Sequence, residues 1–277
     1  VQLFGNGGTL LPMNNSENRP LGLRTVAVEF SGSDDGTWDE GEALTFWGQG
    51  PDRIGWNSSA SAWEHLRHPY EDKAWYFLTI DQEQDAGRIA PAPPVEGLPD
   101  TVYTSYHNVQ FHEQELESPN RSGREWFGES FGSVNQRTFT FTTPFPTDEF
   151  AKISARFAAQ SMSIQSTFSV VSGAIELEAS PSYTSSTSTS NVANLAATSG
   201  EGAAASSTGL GADDALVSVQ VAFEKGVDTA VGWVDYLLIE QPCHLKFDGT
   251  PLAFSLPGVN SGLAECQLVS NDSDVRV

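Results

Sequence analysis

Apolar and polar positions alternate with a period of two along most of the chain, and no stretch sustains a helical period. Val26, Val28 and Phe30 alternate with Ala27 and Glu29, and Leu44, Phe46 and Trp47 follow a turn. Trp75, Tyr76, Phe77 and Leu78 form a short apolar run with strand composition. Phe139 and Phe141 sit between Thr138, Thr140 and Thr142, and Ile153, Ala155, Phe157 and Ala159 repeat the alternation, followed by Phe168 and Val170. Val217, Val219, Val221 and Phe223 make the cleanest single face, and Val231, Trp233, Asp235 and Leu237 lead into another strand. Many short strands separated by turn signals predict a mainly β fold with little helix: an N-terminal β region plus a jelly-roll-like β-sandwich. Residues 61–66 are long enough for one helical turn, and 106–117 fit either a helix or a strand.

Two stretches interrupt the pattern. Residues 90–99 carry four prolines and a glycine, which suits an extended surface crossing. Residues 180–214 are rich in Ser, Thr, Ala and Gly, with almost no large apolar residue to bury. They predict a long flexible hairpin loop between two sandwich strands. The expected division is an N-terminal β-rich region over 1–120 and a β-sandwich over 121–277.

Composition supports a folded chain and excludes several partners. The 277 residues leave room for two domains, and 39% hydrophobic with 10% aromatic residues supply a core. No run of about 18 apolar residues is present to form a spanning helix. Asp and Glu total 36 against 14 Lys and Arg, a net charge of −22. That field repels nucleic acid and anionic lipid, both of which need clustered cations. So large a carboxylate excess, with only four Lys, is also the pattern of a surface adapted to high salt, where self-repulsion is screened. The N-terminus has neither an initiator Met nor a basic signal region, and reads as an internal cut or a processed end.

Candidate chemistry is thin. Asp34, Asp35, Asp39 and Glu42 crowd a turn with two glycines and are the candidate calcium ligands, since calcium takes six to eight oxygens from such loops. The spacing is not that of an EF-hand, and a solvated Asp-Gly hairpin turn is the competing reading. His65 and His68 lie three apart, with His112 a remote third ligand for zinc, but Pro69 breaks any helix they could share. Cys243 and Cys266 are the two cysteines; an exported protein joins such a pair as a disulfide, and two buried thiols are the alternative. Cys243 and His244 are strand neighbours pointing to opposite faces, which argues against a catalytic dyad. Trp38, Trp47, Trp56, Trp63, Trp75 and Trp126 crowd the first half, where core packing competes with stacking on a sugar or anchoring a protein interface. The 36 acids also leave open a stand-alone enzyme with paired carboxylates.

Five motifs then run in order along the chain. They are Leu3-Phe4-Gly5-Asn6-Gly7-Gly8 with Leu11-Pro12 and Arg19-Pro20; Asp35 to Glu42 with Phe46-Trp47-Gly48-Gln49-Gly50-Pro51; Tyr70 to Thr79; Ser122 to Glu129; and Gly232-Trp233-Val234-Asp235-Tyr236. Together they resemble the region preceding the peptidase domain in the PorU family, the gingipain-like cysteine peptidases that act as sortases of the type IX secretion system. The resemblance implies an exported parent, peripheral to the outer membrane at the bacterial cell surface, that cleaves C-terminal sorting signals from secreted cargo. It implies that the catalytic His and Cys lie downstream, so that no catalytic residue carries over to this chain; calcium is the one cofactor its own residues suggest. It also implies two partners beside the downstream peptidase domain: the outer-membrane barrel PorV and the cargo. The 180–214 segment and the acidity depart from the family pattern. The alternative is an independent carbohydrate- or protein-binding β-sandwich module of an exported protein.

Overall fold

The computed structural model describes residues 1–8, 10–12, 14–19, 22–32, 35, 37–68, 70–80, 87–91, 95–121, 123, 125–149, 151–173, 175–184, 190–199, 214–256 and 263–271, with 192–199, 214 and 215 as backbone. Among these residues every regular element is a strand. The chain divides into two compact units, Val1–Glu96 and Gly97–Val277. The expected boundary at 120 therefore moves to 96, because a strand over 105–113 pairs along the longest strand of the second unit.

The first unit is built of short strands: β1 (Gln2–Gly5), β2 (Arg24–Val26), β3 (Val28–Ser31), β4 (Ala43–Phe46), β5 (Arg53–Asn57), β6 (Ala62–Leu66) and β7 (Tyr76–Thr79). β1 lies between β2 and β7, antiparallel to both, while β3–β4 and β5–β6 form hairpins. Residues 61–66, long enough for a helical turn, instead supply β6, where Trp63 pairs with Trp56 edge to face at 5.4 Å. Cross-strand aromatic packing of this kind outweighs a single helical turn. The buried apolar side chains described in this unit are Leu3, Val28 and Trp63.

The second unit is a two-sheet sandwich. Its strands are β8 (Thr101–Tyr103), β9 (Ser105–Glu113), β10 (Ser130–Phe131), β11 (Gln136–Pro144), β12 (Lys152–Gln160), β13 (Thr167–Ser172), β14 (Ile175–Ala179), β15 (Asn191–Ser199), β16 (Asp214–Glu224), β17 (Val231–His244), β18 (Lys246–Phe247), β19 (Ala264–Cys266) and β20 (Val269–Ser270). One sheet runs β10-β17-β12-β15, with β9 also on β17; the other runs β11-β16-β13-β14. Consecutive strands from β11 to β17 switch sheets at every step except the β13–β14 hairpin, which matches the jelly-roll-like expectation. β19 joins β8, and β18 joins β20, as small parallel pairs.

Period-two alternation explains the core. On β11, Phe139 and Phe141 turn inward while Thr138 and Thr140 face out. The inner faces of β12, β13, β16 and β17 bring Phe157, Phe168, Phe223 and Val234 into one cluster. Phe157 stacks on Phe168 at 4.4 Å, and Phe223 packs on Phe168 at 4.6 Å. Gly232 sits beneath this pile: a Cβ there would lie 2.5 Å from Phe168 Cζ and 2.9 Å from Phe223 Cε2.

Two further expectations are settled by pairing. Residues 105–113 are strand, antiparallel to β17 from Tyr236 to His244. The stretch expected as one loop over 180–214 contains β15, paired with β12 at the sheet edge. An edge strand can be held by backbone hydrogen bonds on one side, so a segment poor in large side chains can still supply one. Residues 185–189 and 200–213 of that stretch lie outside the described residues.

Candidate functional site

Parts of the five motifs meet at two structural nodes, one in each unit. In the first unit, Gly5 pairs with Tyr76 across β1 and β7, and a Cβ on Gly5 would lie 2.6 Å from the Tyr76 ring. The Tyr76 hydroxyl accepts from the Gln49 amide at 2.7 Å and donates to the Gln49 carbonyl at 2.8 Å. Phe46 packs on the same ring at 5.1 Å. Gly8, at φ +61°, lets its loop approach Pro51, where a Cβ would lie 2.9 Å from Pro51 Cα. Arg53 Nη2 donates to the Gly7 carbonyl at 3.4 Å. Segments 3–8, 46–53 and 75–79 thus close around one tyrosine, which satisfies backbone groups that a short loop leaves unpaired.

Three other aromatics of these motifs lie largely on the surface. Trp47 is 70% exposed, Trp75 64% and Phe77 52%. The Gln49–Tyr76 hydrogen bonds bring the Trp47 and Trp75 segments to the same node, since each tryptophan lies within two residues of a bonded partner.

In the second unit, Arg156 projects from β12. Its Nη1 donates to Asp235 Oδ2 at 2.7 Å and its Nη2 to Glu125 Oε1 at 3.0 Å. The guanidinium stands 5.7 Å over the Phe127 ring. A register shift opposite Arg156 and Phe157 leaves Asp235 as an extra residue on β17, and this irregularity re-aims the carboxylate at Arg156. Burial pushes the Asp235 carboxyl above its ordinary value despite the arginine. Burial opposes the Arg156 charge, but the two carboxylates outweigh it and raise its pKa.

Residues 114–121, 123 and 125–129 form a strap over this face. Phe127 is fully buried against Ala158 and Trp233. Its amide donates to the Glu117 carbonyl at 2.7 Å, and its carbonyl accepts from Glu117 N at 2.9 Å. Trp233 Nε1 donates to Glu117 Oε2 at 2.7 Å. Gly128 N donates to the Val234 carbonyl at 2.7 Å, and Glu129 Oε1 lies 2.9 Å from His112 Nε2. The fourth motif is therefore strapped onto the fifth by one ion network and one aromatic plug.

β9 is pinned a second time by His107 Nδ1, 2.5 Å from Glu240 Oε1, with Lys152 Nζ 3.5 Å from the same oxygen. Burial would raise the Glu240 carboxyl, but the hydrogen bond from His107 and the charge of Lys152 hold it below its ordinary value. Neither Arg156 nor Glu240 stood out in the sequence. The available signal was a charged residue inside an otherwise apolar strand, Ala155-Arg156-Phe157, facing an acid in Val234-Asp235-Tyr236.

Of the candidate calcium ligands, Asp34 lies outside the described residues. Asp35 Oδ1 accepts from Thr37 N at 2.9 Å and from Thr37 Oγ1 at 2.6 Å. Asp39 Oδ2 accepts from Thr37 Oγ1 at 3.3 Å, and Glu42 Oε2 accepts from Asp39 N at 2.9 Å. These acids cap their own turn, and among the described residues no three His, Cys, Asp or Glu gather as a metal site. His68 Nδ1 accepts from Glu71 N at 3.0 Å, ending a turn, while His65 lies within β6.

Both cysteines are free thiols, so the expected Cys243–Cys266 disulfide is replaced by two separate environments. Cys243 is fully buried on β17 opposite Tyr106, whereas Cys266 is exposed on β19 opposite Tyr103. Burial pushes the Cys243 thiol up to about 12, and likewise Tyr106 to about 12 with a further contribution from Cys243. His244, the next residue, is exposed. A thiol held protonated in an apolar cluster is a poor nucleophile.

Neither a protein-family model nor a curated protein sequence matches the chain. Among solved structures, the crystal structure of dimeric latent PorU from Porphyromonas gingivalis aligns with a TM-score of 0.70 at 22% identity, over 92% of this chain and 23% of that one. The chain thus has a PorU-like fold and spans about a quarter of the length of the structure it matches. A structure of infectious bursal disease virus, Gx strain, aligns at a TM-score of 0.27 and 9% identity, over 88% of this chain and 56% of that chain, too low to establish a shared fold.

Proposed function

We propose that this chain is the non-catalytic N-terminal region of a cell-surface gingipain-like cysteine peptidase, a sortase of the type IX secretion system. Its role is to scaffold the downstream peptidase domain that cleaves C-terminal sorting signals. The observation carrying this reading is the PorU-like fold over 92% of the chain, which accounts for only 23% of the latent PorU chain. Two features agree with it. The one cysteine with a neighbouring histidine is buried and protonated, unsuited to attack a peptide bond. Among the described residues, the motif side chains at the two nodes hold loops and a strap in place.

In this reading the parent works at the outer surface with the barrel PorV and secreted cargo as partners. The coding sequence on both sides of these 277 residues tests it. A downstream gingipain-like domain bearing a His and a Cys is the expected result; a stop codon directly after Val277 would sink the proposal. The exposed Trp47 and Trp75 favour the second reading, an independent carbohydrate- or protein-binding module, if that stop is found. Binding on a glycan array would then be its first test.

A further inference from the structure

β11 is an end strand of its sheet, paired among the described residues with β16 alone. Backbone groups of an antiparallel strand point alternately to its two sides. The Asn135 carbonyl, one residue before β11, accepts from Phe223 N, so the odd-numbered residues turn towards β16. The Gln110 side-chain amide reaches the Thr142 carbonyl from β9, so the even-numbered residues turn outward. Thr138 and Thr140 therefore each present an N–H and a C=O along the open edge, where no backbone partner is paired with them among the described residues. Edge strands are commonly blunted by charged side chains, Pro or bulges. From Thr138 to Thr143, β11 has none of these.

A cavity of about 330 Å³ runs along this edge, lined by residues 137–141, His112 and Glu129. The His112 ring packs on Phe139 at 4.7 Å, and its Nε2 lies 2.9 Å from Glu129 Oε1. The second oxygen of that carboxylate, Oε2, is buried and has no hydrogen-bond partner among the described residues. A buried carboxylate oxygen is stabilised by a donor, most strongly by a charged one.

We propose that this edge binds one short extended peptide, antiparallel to β11, with a lysine opposite Phe139. The peptide residues on either side of that lysine exchange backbone hydrogen bonds with Thr138 and Thr140. Those two lie about 7 Å apart, the distance at which an extended chain repeats its backbone groups and a sugar ring does not. Side chains paired across strands share a face, so the lysine points to the side of Phe139 on which His112 packs and reaches Glu129 Oε2. The net charge of −22 also attracts a cationic segment.

Geometry disfavours a second copy of β11 as the occupant. In two-fold pairings centred on Phe139 or Thr140, Thr142 of one copy falls opposite Gln136 or Thr138 of the other. The Gln110 side chain already bonded to the Thr142 carbonyl stands between them. The proposal does not depend on the function proposed above, since it concerns groups of this chain alone.

The test uses the full-length protein and a fluorescein-labelled Gly-Ser-Thr-Lys-Thr amide, with norleucine or glutamate in place of lysine as controls. Anisotropy should show saturable binding of the lysine peptide, weakened about tenfold by either control. Glu129→Gln should bring the lysine and norleucine peptides to similar affinity. Thr140→Pro removes an N–H that points away from β16, a change edge strands tolerate, and should abolish binding of all three peptides. Hydrogen exchange on the wild type locates the site independently of any variant: the Thr138 and Thr140 amides should slow several-fold when the lysine peptide is added. Absence of binding, equal binding of lysine and norleucine peptides, or exchange at Thr138 and Thr140 unchanged by peptide would each overturn the proposal. So would binding that survives Thr140→Pro. Protection of those amides that rises with protein concentration in the absence of peptide would also overturn it, and would assign the edge to a second copy.

Discussion

Replacing Arg156 by Met removes the cation that joins the strap to the sandwich while keeping most of the aliphatic stem over Phe127. Removing one partner of a fully buried ion pair costs about 3–5 kcal/mol, because the other charge is left buried and uncompensated. Here the two carboxylates count differently. The Asp235 side chain is 10% exposed and loses a 2.7 Å bond, so most of that cost applies to it. The Glu125 side chain is 43% exposed and returns to water, at the surface value of about 0–1 kcal/mol. With Arg156 itself 27% exposed, the expected loss is about 2–4 kcal/mol at pH 7.5.

The loss should shrink in acid. Without Arg156 the buried Asp235 carboxyl lies further above its unfolded value, so the folded state binds the proton more tightly than the unfolded state. Relative stability of the variant then rises as pH falls, by at most about 1.4 kcal/mol per pH unit. Urea unfolding followed by tryptophan fluorescence at pH 7.5 and at pH 5 measures both effects, with a changed midpoint at constant slope. A variant within about 0.5 kcal/mol of wild type at both pH values would refute the claim that this network holds the strap.

Three further outcomes are expected. Gly232→Ala places a methyl group 2.5 Å from Phe168 Cζ within the aromatic pile, and should cost about 2–3 kcal/mol or more, read as a lowered Tm; an unchanged Tm would show that the two rings can part. Native protein should expose one fast-reacting thiol, Cys266, with Cys243 appearing only in denaturant. Two fast thiols would contradict the burial, and none would indicate the disulfide. The Glu240 carboxyl is held below its ordinary 4.5, so its contribution is present above the unfolded value and lost as pH falls through the folded one. Glu240→Gln should therefore flatten the stability decline below about pH 4.5, and an unchanged decline would rule out this role.

Much of the sandwich was legible because its strands follow the two-residue period. Phe139 and Phe141, or Val217 to Phe223, announce both element and buried face. The division falls at 96 rather than 120 because β9 shows that period only briefly, with Val109 and Phe111 between Asn108, Gln110 and His112, and nothing in those residues announces a partner as distant along the chain as β17. β15 was hidden for a related reason, since backbone pairing at a sheet edge leaves little trace in side-chain hydrophobicity. The motifs were visible as strings, but not the reason for them. That Gly5 and Gln49 meet at Tyr76, or that Glu125 and Asp235 share Arg156, depends on contacts across dozens of residues. Spacing along the chain does not encode such contacts.

The central claim is that these residues support catalysis without performing it. The most direct measurement is cleavage of a peptide spanning a sorting-signal junction by the full-length parent carrying Cys243→Ala, compared with replacement of the downstream cysteine. The account predicts near wild-type turnover for Cys243→Ala, whose thiol is buried and protonated, and no turnover without the downstream cysteine. Loss of cleavage in a folded Cys243→Ala variant, with cleavage retained when the downstream cysteine is replaced, would contradict it.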